Sequence, residues 1–514
     1  MKLENIILPG RDVWSRWDVD VEAGRITSIN PSTSSSSSSS SFSSSTPASL
    51  LLPSLCHPHI HLDKAYLLTS NNQHHPTYPH DLTPQTGSFH EALSSTSLAK
   101  HRYTPTDLYL RGSQLLATSA LQGVTSCRAF VELDHVTGLA CLETAVALKH
   151  AFRTTLRVQI CAFAQDPIFS TAHGEENRRI LVAGLDRYRA EIEVLGTTPY
   201  VEQTAEASLR NIRWAIDTAL ERSLHLDFHL DYNLDVGRAV MVWDVLRLLR
   251  EAGWKKEERR AQTDRRRGRD GKTVVLGHCS RLTLCSEGEM VELAKEIKES
   301  GLPVALVGLP TSDLFMMGRP VQLEEAQPQP QIQPPSPITS NAHRPRGTLQ
   351  IVDMIRHLGL SACLSVNNVG NAFTPWGTGD PLSLASLGVG IYQAGTDDDA
   401  KILYECVSSR AREAIGLEME RDTKSQPEDM SETRTNTNTN TQTKTETNTH
   451  THTDLDTDTL ILEEGHHGPF LLIRNEEWVG CPGHLGIKVP ARQRVSVRDV
   501  VWDVPDVALR RVIY

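Results

Sequence analysis

Short β-branched or apolar runs alternate through the middle of the chain with longer stretches whose apolar positions recur every three or four residues. The runs SLLLPSLCHPHIHL (49–62), GVTSCRAFVEL (123–133), TLRVQICAFA (155–164), IEVLGTTPYVE (192–202), LHLDFHLDY (224–232), KTVVLGHCS (272–280), PVALVGLP (303–310) and SACLSVNN (361–368) predict strands. SLRNIRWAIDTALERS (208–223) and GEMVELAKEIKESG (288–301) typify the helices between them. Eight strands alternating with helices predict a parallel α/β arrangement, most simply a (β/α)8 TIM-like barrel. The two ends differ. Residues 1–31 alternate like antiparallel strands with a hairpin at AGR, and residues 466–514 alternate in the same way. Together they predict one small β-sandwich-like domain built from both chain ends, 1–52 with 465–514, beside a barrel over 53–420.

Four segments are too polar or too simple to join a core. Residues 33–46 are almost pure serine, 256–272 are a charge run, 325–346 are Pro/Gln-rich, and 421–464 are mostly a Thr/Asn-rich linker. His450 and His452 in that linker offer adventitious metal contacts at most.

Composition narrows the function classes. The 514 residues carry 63 acidic and 52 basic side chains, a net charge of −11, which argues against a nucleic-acid partner. No apolar stretch approaches the ~18 residues a membrane span needs, and the N-terminus is too charged for a secretory signal. Nine scattered cysteines without a C-x-x-C pair predict a reducing compartment, the cytoplasm, and no cysteine-based zinc site.

Three clusters carry candidate chemistry, each at the end of a predicted strand, where a barrel places its active site. In CHPHIHLDK (56–64), His59 and His61 share a strand face and can share a cation; His57 has the same parity, but Pro58 interrupts the strand there. In HLDFHLDYNLD (225–235), His225, Asp227, His229 and Asp231 fall on one face if the strand runs that far. His278 ends VVLGH. The alternative for each is a polar group satisfied inside the core.

Taken together, the clusters resemble the amidohydrolase superfamily, and more narrowly its cytosine deaminase-like branch. PSLCHPHIHLD resembles that branch's first metal motif, DFHLDYNLD its fifth-strand segment and LGHCS its sixth-strand motif. AFAQDPIFS (162–170), PTSDLFMMGR (310–319) and PWGTGDPL (375–382) resemble its third-strand, seventh-strand and post-eighth-strand segments. The resemblance implies one divalent transition metal (zinc, iron or manganese) on His59, His61 and His229. It makes His278 the residue that polarises substrate or water, and Gln165 the one that holds the ring's amide face.

Two positions depart from that pattern. The branch's proton-shuttling glutamate is replaced by Tyr232, and its eighth-strand aspartate pair by Asn367 and Asn368. An amide oxygen is a weaker donor than a carboxylate and accepts no proton near neutrality. Asp63, Glu132, Asp231, Asp235 and Asp380 are then candidates for a reassigned base, with Asp231 and Asp380 foremost, and Lys64 is a candidate substrate or leaving-group contact. The expectation is a metal-dependent hydrolase of a non-peptide carbon–nitrogen bond in a small cyclic amidine, amide or N-substituted heterocycle. Its site residues would be His278 and Asp231 as catalytic groups, Gln165 and Lys64 on the substrate, and His59, His61 and His229 on the metal, with Asn367 as a weak fourth ligand. The alternative is a catalytically impaired relative that binds a ligand or regulates. The expected partner is a small heterocycle, with no nucleic acid and no membrane; a homo-oligomer is left open, since related barrels often assemble.

Overall fold

A computed structural model describes residues 1–32, 47–69, 78–254, 272–318, 347–417, 459–480 and 488–514. The serine tract, nearly all of the charge run, the Pro/Gln-rich insert and most of the Thr/Asn-rich linker, with His450 and His452, lie outside the described residues. Residues 459–464, assigned to that linker, are described, and Leu460 and Leu462 in it are buried.

The first strands are β1 (Lys2–Ile7), β2 (Trp17–Glu22), β3 (Arg25–Pro31) and β4 (Ser49–Pro53). Between β2 and β3 the turn at Ala23 and Gly24 has φ of 48° and 76°, the paired positive values that a two-residue hairpin requires. The barrel strands follow: β5 (Leu55–His61), β6 (Val124–Glu132), β7 (Arg157–Ala164), β8 (Ile192–Thr197), β9 (His225–Leu230), β10 (Val274–His278), β11 (Val304–Gly308) and β12 (Ala362–Leu364). All neighbouring pairs are parallel, in chain order. The ring closes between the first and last strands through an Ile60–Asn367 bridge, with the His61 N–H donating to the Asn367 carbonyl at 2.9 Å. Strands such as VVLGH and VALVG are buried throughout, and apolar up to His278, because helices cover one face and the barrel interior the other.

The chain ends add β13 (Phe470–Ile473), β14 (Trp478–Gly480), β15 (Lys488–Pro490) and β16 (Arg510–Ile513). They meet the N-terminal strands in one six-stranded sheet of order β16-β13-β4-β1-β2-β3, while β14 and β15 pair separately. Side-chain alternation splits this sheet between two cores. Leu50, Leu52, Leu471 and Ile473 join the barrel's hydrophobic core; Leu51, Phe470 and Leu472 pack with Val19 and Ile26 on the other face. The segment VRDVVW, expected as a strand, is a helix, Val497–Trp502: Ser496 caps it, and Val497, Val500 and Val501 form its buried stripe. Among the described residues no helix is long and apolar enough to cross a membrane.

Candidate functional site

Interior positions of the barrel change character from bottom to top. Arg128 on β6 meets Asp227 on β9 at 2.7 Å and Gln159 on β7 at 2.7 Å, a buried polar layer held by its own ion pair. Two residues further along β6 and β9, Phe130 and His229 lie one level higher, and Phe163, four residues beyond Gln159 on β7, packs against both. Period-two alternation therefore puts Asp227 inside the barrel but a layer below His229, as the partner of a structural arginine. His225 lies at the start of β9, hydrogen-bonded to Thr273 at 2.9 Å.

His59 and His61 reach the level of His229 because the β5–β6 register slips between His57 and Ile60. The slip turns His57 outward, its Nε2 3.3 Å from Ser119 Oγ on the helix Pro105–Leu121, so shared parity does not bring it in. One ligand atom from each of His59, His61 and His229 lies within 4.8 Å of the others. All three are buried, and burial, reinforced by neighbouring positive charge, holds their pKa values well below the ordinary histidine range. They are thus neutral, the form that ligates a metal. Both ring nitrogens of His59, Nδ1 of His61, Nε2 of His229 and Oδ1 of Asn367 make no hydrogen bond among the described residues. Buried polar atoms without partners are costly. One nitrogen from each of the three histidines, with the unpartnered Asn367 oxygen beside them, suits a divalent cation with mixed N/O preference.

Around this cluster the backbone adopts left-handed conformations at Asp231 (φ 49°), His278 (66°) and Asn367 (63°), all just at or beyond strand ends. Non-glycine residues hold such angles at a cost of roughly 1–3 kcal/mol each, which concentrates at sites where side chains must be aimed. Asn367 directs its NH2 to Ser312 Oγ at 2.9 Å, leaving its carbonyl oxygen toward the histidines. His278 Nδ1 lies 3.0 Å from Asp313 Oδ1, and its ring stacks on Tyr232 with centroids 3.9 Å apart. Tyr232 is buried and donates to the Ser312 carbonyl at 3.2 Å. Burial pushes its phenol well above the usual range, so it shuttles no proton near neutrality.

The carboxylates proposed as bases are committed elsewhere. The strand ends at Leu230, and the left-handed turn at Asp231 aims its side chain at the start of the helix Met241–Glu251. There the Met241 and Val242 N–H groups donate to it at 3.1 and 3.3 Å. Burial raises Asp231 to about 6, while its two oxygens accept from the first backbone N–H groups of that helix. Asp380 caps the helix Pro381–Ile391 and holds Arg510 of β16 through two 2.8 Å contacts, tying the terminal sheet to the barrel. Asp235 sits in an exposed turn, accepting from Gly237 N–H. Glu132 is clamped between Lys64 (2.5 Å) and Lys100, and Lys100 also meets Asp134 at 2.7 Å. Burial opposes ionisation of Glu132, yet the two ammonium groups outweigh it and lower its pKa. Asp63, raised to about 6 by burial and by Glu132, accepts the Glu132 N–H at 3.0 Å.

A pocket opens above the histidines. His61, His229, His278 and Asn367 form its floor, and Lys64, Gln165, Phe89 and Phe373 line its walls. Lys64 Nζ lies 3.4 Å from Gln165 Oε1 and 5.3 Å from the Phe373 ring centroid, so the two substrate-binding candidates sit together. Sequence reasoning missed Ser312, Asp313 and Lys100. The available signal for Asp313 was its place in the first turn of a helix directly after the seventh barrel strand, on the face where barrels carry their sites.

No protein-family model matches the chain, and no curated protein matches it. Solved structures do. The 5-methylcytosine deaminase from Klebsiella pneumoniae, liganded with phosphonocytosine, matches at 17% identity with a TM-score of 0.66, covering 100% of this chain and 95% of that one. N-isopropylammelide isopropylaminohydrolase from Burkholderia multivorans ATCC 17616 matches at 16% identity and 0.61, covering 100% and 96%. An adenosine deaminase from Xanthomonas campestris with bound zinc matches at 12% identity and 0.51, covering 96% and 85%. The barrel with its terminal sheet is therefore the fold seen in this 5-methylcytosine deaminase and this isopropylaminohydrolase.

Proposed function

We propose that the protein is a mononuclear metal-dependent hydrolase of a carbon–nitrogen bond in a small cyclic amide, amidine or N-substituted heterocycle. The observation that carries this reading is the set of unpartnered, neutral nitrogens on His59, His61 and His229, beside the unpartnered Asn367 oxygen, at the floor of the pocket. These four residues would hold the metal, which when bound supplies Lewis acidity and a water of lowered pKa. The chain's own groups do the rest. Lys64 and Gln165 donate to and accept from the polar edge of a flat ring, and Phe89 and Phe373 cover its faces and exclude water. His278 presents Nε2 to the pocket as the group that takes up a proton, because its Nδ1 is committed to Asp313. Structural neighbours named as a 5-methylcytosine deaminase and an N-isopropylammelide isopropylaminohydrolase support this substrate class.

A second reading is favoured by Tyr232 and Asn367, which move no proton at neutral pH: a pocket that binds its ligand without turning it over. Elemental analysis of the purified protein, with His59→Ala and His229→Ala beside it, tests the first requirement. About one transition metal per chain, lost in both variants, is expected. A metal-free wild-type protein, even after reconstitution with zinc, iron or manganese, would sink the hydrolase reading. Ammonia or amine release is then followed with 5-methylcytosine, 5-fluorocytosine and N-isopropylammelide as probes. Turnover abolished by His278→Ala excludes the binding-only reading; turnover that arises only in Asn367→Asp/Tyr232→Glu establishes it.

A further inference from the structure

The first turn of the short helix Pro310–Met317 bonds to Asn367, Tyr232 and His278. Thr311 Oγ1 donates to the Val366 carbonyl at 3.2 Å, anchoring the helix to the segment that carries Asn367. The hydroxyl of Ser312 accepts from Asn367 Nδ2 at 2.9 Å and also hydrogen-bonds to Thr374 Oγ1, where either hydroxyl can donate. With its NH2 on Ser312, the Asn367 amide leaves its oxygen unpartnered and available to the histidine cluster. The Ser312 carbonyl receives the Tyr232 hydroxyl at 3.2 Å, which fixes the ring stacked on His278. Asp313, fully buried, accepts the Leu309 N–H at 3.3 Å through Oδ2 and faces His278 Nδ1 through Oδ1 at 3.0 Å. A carboxylate has no proton to give, so Nδ1 carries it, and Nε2 is left bare.

We infer that Ser312 and Asp313 are a pair of positioning residues: Ser312 makes Asn367 a neutral oxygen donor to the metal, and Asp313 holds His278 in the tautomer that offers Nε2 to the pocket. This rests on the metal-hydrolase reading. It explains how a site with asparagine on the eighth strand keeps a carboxylate in its proton path. The carboxylate stands behind His278 instead of beside the metal.

The two halves are read separately. In histidine-labelled (nitrogen-15) protein at a pH above the histidine range, long-range proton–nitrogen spectra report each ring's tautomer, and His278→Gln identifies the His278 signals. A bare Nε2 is expected in the wild type, with a shift toward protonated Nε2 in the isosteric Asp313→Asn variant. A wild-type ring already protonated at Nε2, or no change in Asp313→Asn, overturns the role of Asp313. Zinc affinity, measured by competition with a chelating dye, is expected to fall roughly 10- to 100-fold in Ser312→Ala and to return in Ser312→Thr, which keeps the hydroxyl. Unchanged affinity in Ser312→Ala, or equal loss in both variants, overturns the role of Ser312. A wild-type protein that binds no zinc removes the hydrolase reading and the Ser312 assignment together. The tautomer spectra, recorded without metal, still judge Asp313.

Discussion

Replacing a proposed metal ligand by leucine should stabilise this protein in the absence of metal and destabilise it, relative to wild type, in its presence. His229 is the place to test this. Its ring is stacked on His59 at 4.6 Å and enclosed by Phe163 at 4.3 Å and Phe130 at 5.1 Å, with Nε2 buried and unpartnered. An unsatisfied buried acceptor costs about 1–3 kcal/mol. His229→Leu removes that acceptor in a cage that is already aromatic, and a near-isosteric swap costs under about 1.5 kcal/mol in packing. The net is roughly 0 to +2 kcal/mol in favour of the metal-free variant. A bound metal changes the order. At a free concentration about 100 times Kd, it stabilises the folded wild type by about 2.7 kcal/mol and the variant by nothing. With an unfolding entropy of ~2 cal/mol/K per residue, a folded body on the order of 400 residues moves by about 1 °C per kcal/mol. Thermal unfolding should therefore place the metal-free variant at or up to about 2 °C above wild type, and the zinc-loaded wild type about 3 °C above its own metal-free form, with no zinc response in the variant. A metal-free variant that melts several degrees below wild type would refute the reasoning, because the imidazole would then be a satisfied core group. So would a zinc shift that survives the substitution.

Other perturbations test neighbouring steps. A Cβ on Gly277 would meet the His59 ring at 3.0 Å from Cε1 and 3.2 Å from Nδ1, so Gly277→Ala should lower zinc affinity with the circular dichroism spectrum unchanged; equal affinity would show that His59 has room to yield. Arg128→Met leaves Asp227 buried without its partner and should cost about 3–5 kcal/mol in denaturant unfolding, whereas Arg128→Met/Asp227→Leu should recover most of the loss; additive losses would refute the pairing. Acid should unfold the metal-free protein steeply. His57, lowered to about 4 by burial, and His59, His61, His225 and His229, lowered well below their usual range, stay neutral in the fold but charge in the unfolded chain below its pKa of about 6.5. Asp63 and Asp231, raised to about 6, and Asp227, raised to about 7, act in the opposite sense, holding protons in the fold that the unfolded chain releases above about 3.9. Asp166 and Asp313, also raised by burial, add to the second set, and Glu132, Asp134 and Asp399, lowered by their partners, add to the first, which remains the larger, so stability should fall on acidification below about pH 6. Equilibrium unfolding that shows stability rising as the pH falls would contradict the burial of these rings as neutral groups.

What was legible in the sequence follows from which interactions are local. Strand and helix identity is written in periodicities of two and three to four residues, so all eight barrel strands could be read from continuous apolar runs. The histidines His59, His61, His229 and His278 were legible because a barrel places the last residue or two of its strands at one rim. The errors arose where one residue changes the backbone's direction. Parity carried Asp231 onto the face of His229, but the strand stops at Leu230 and the left-handed turn sends the carboxylate to a helix end. Parity also kept His57 with His59 until the register slip beside Pro58 separated them. A period-two argument has no term for such a slip, and neither cost is visible in hydropathy. The helix Val497–Trp502 reads as a strand because its valines satisfy both periods, and only the serine cap decides between them. Ser312 and Asp313 lay within the recognised segment PTSDLFMMGR but were not singled out for a different reason: their partners lie 35 to 62 positions away in the chain, across strands whose adjacency exists only once the barrel closes. The carboxylate that the sequence seemed to have lost from the eighth strand is present in the site, in contact with His278, because closure brings the start of one helix beneath the ends of β10 and β12. In a barrel, a motif's missing group has to be sought around the rim and not only along the strand that usually carries it.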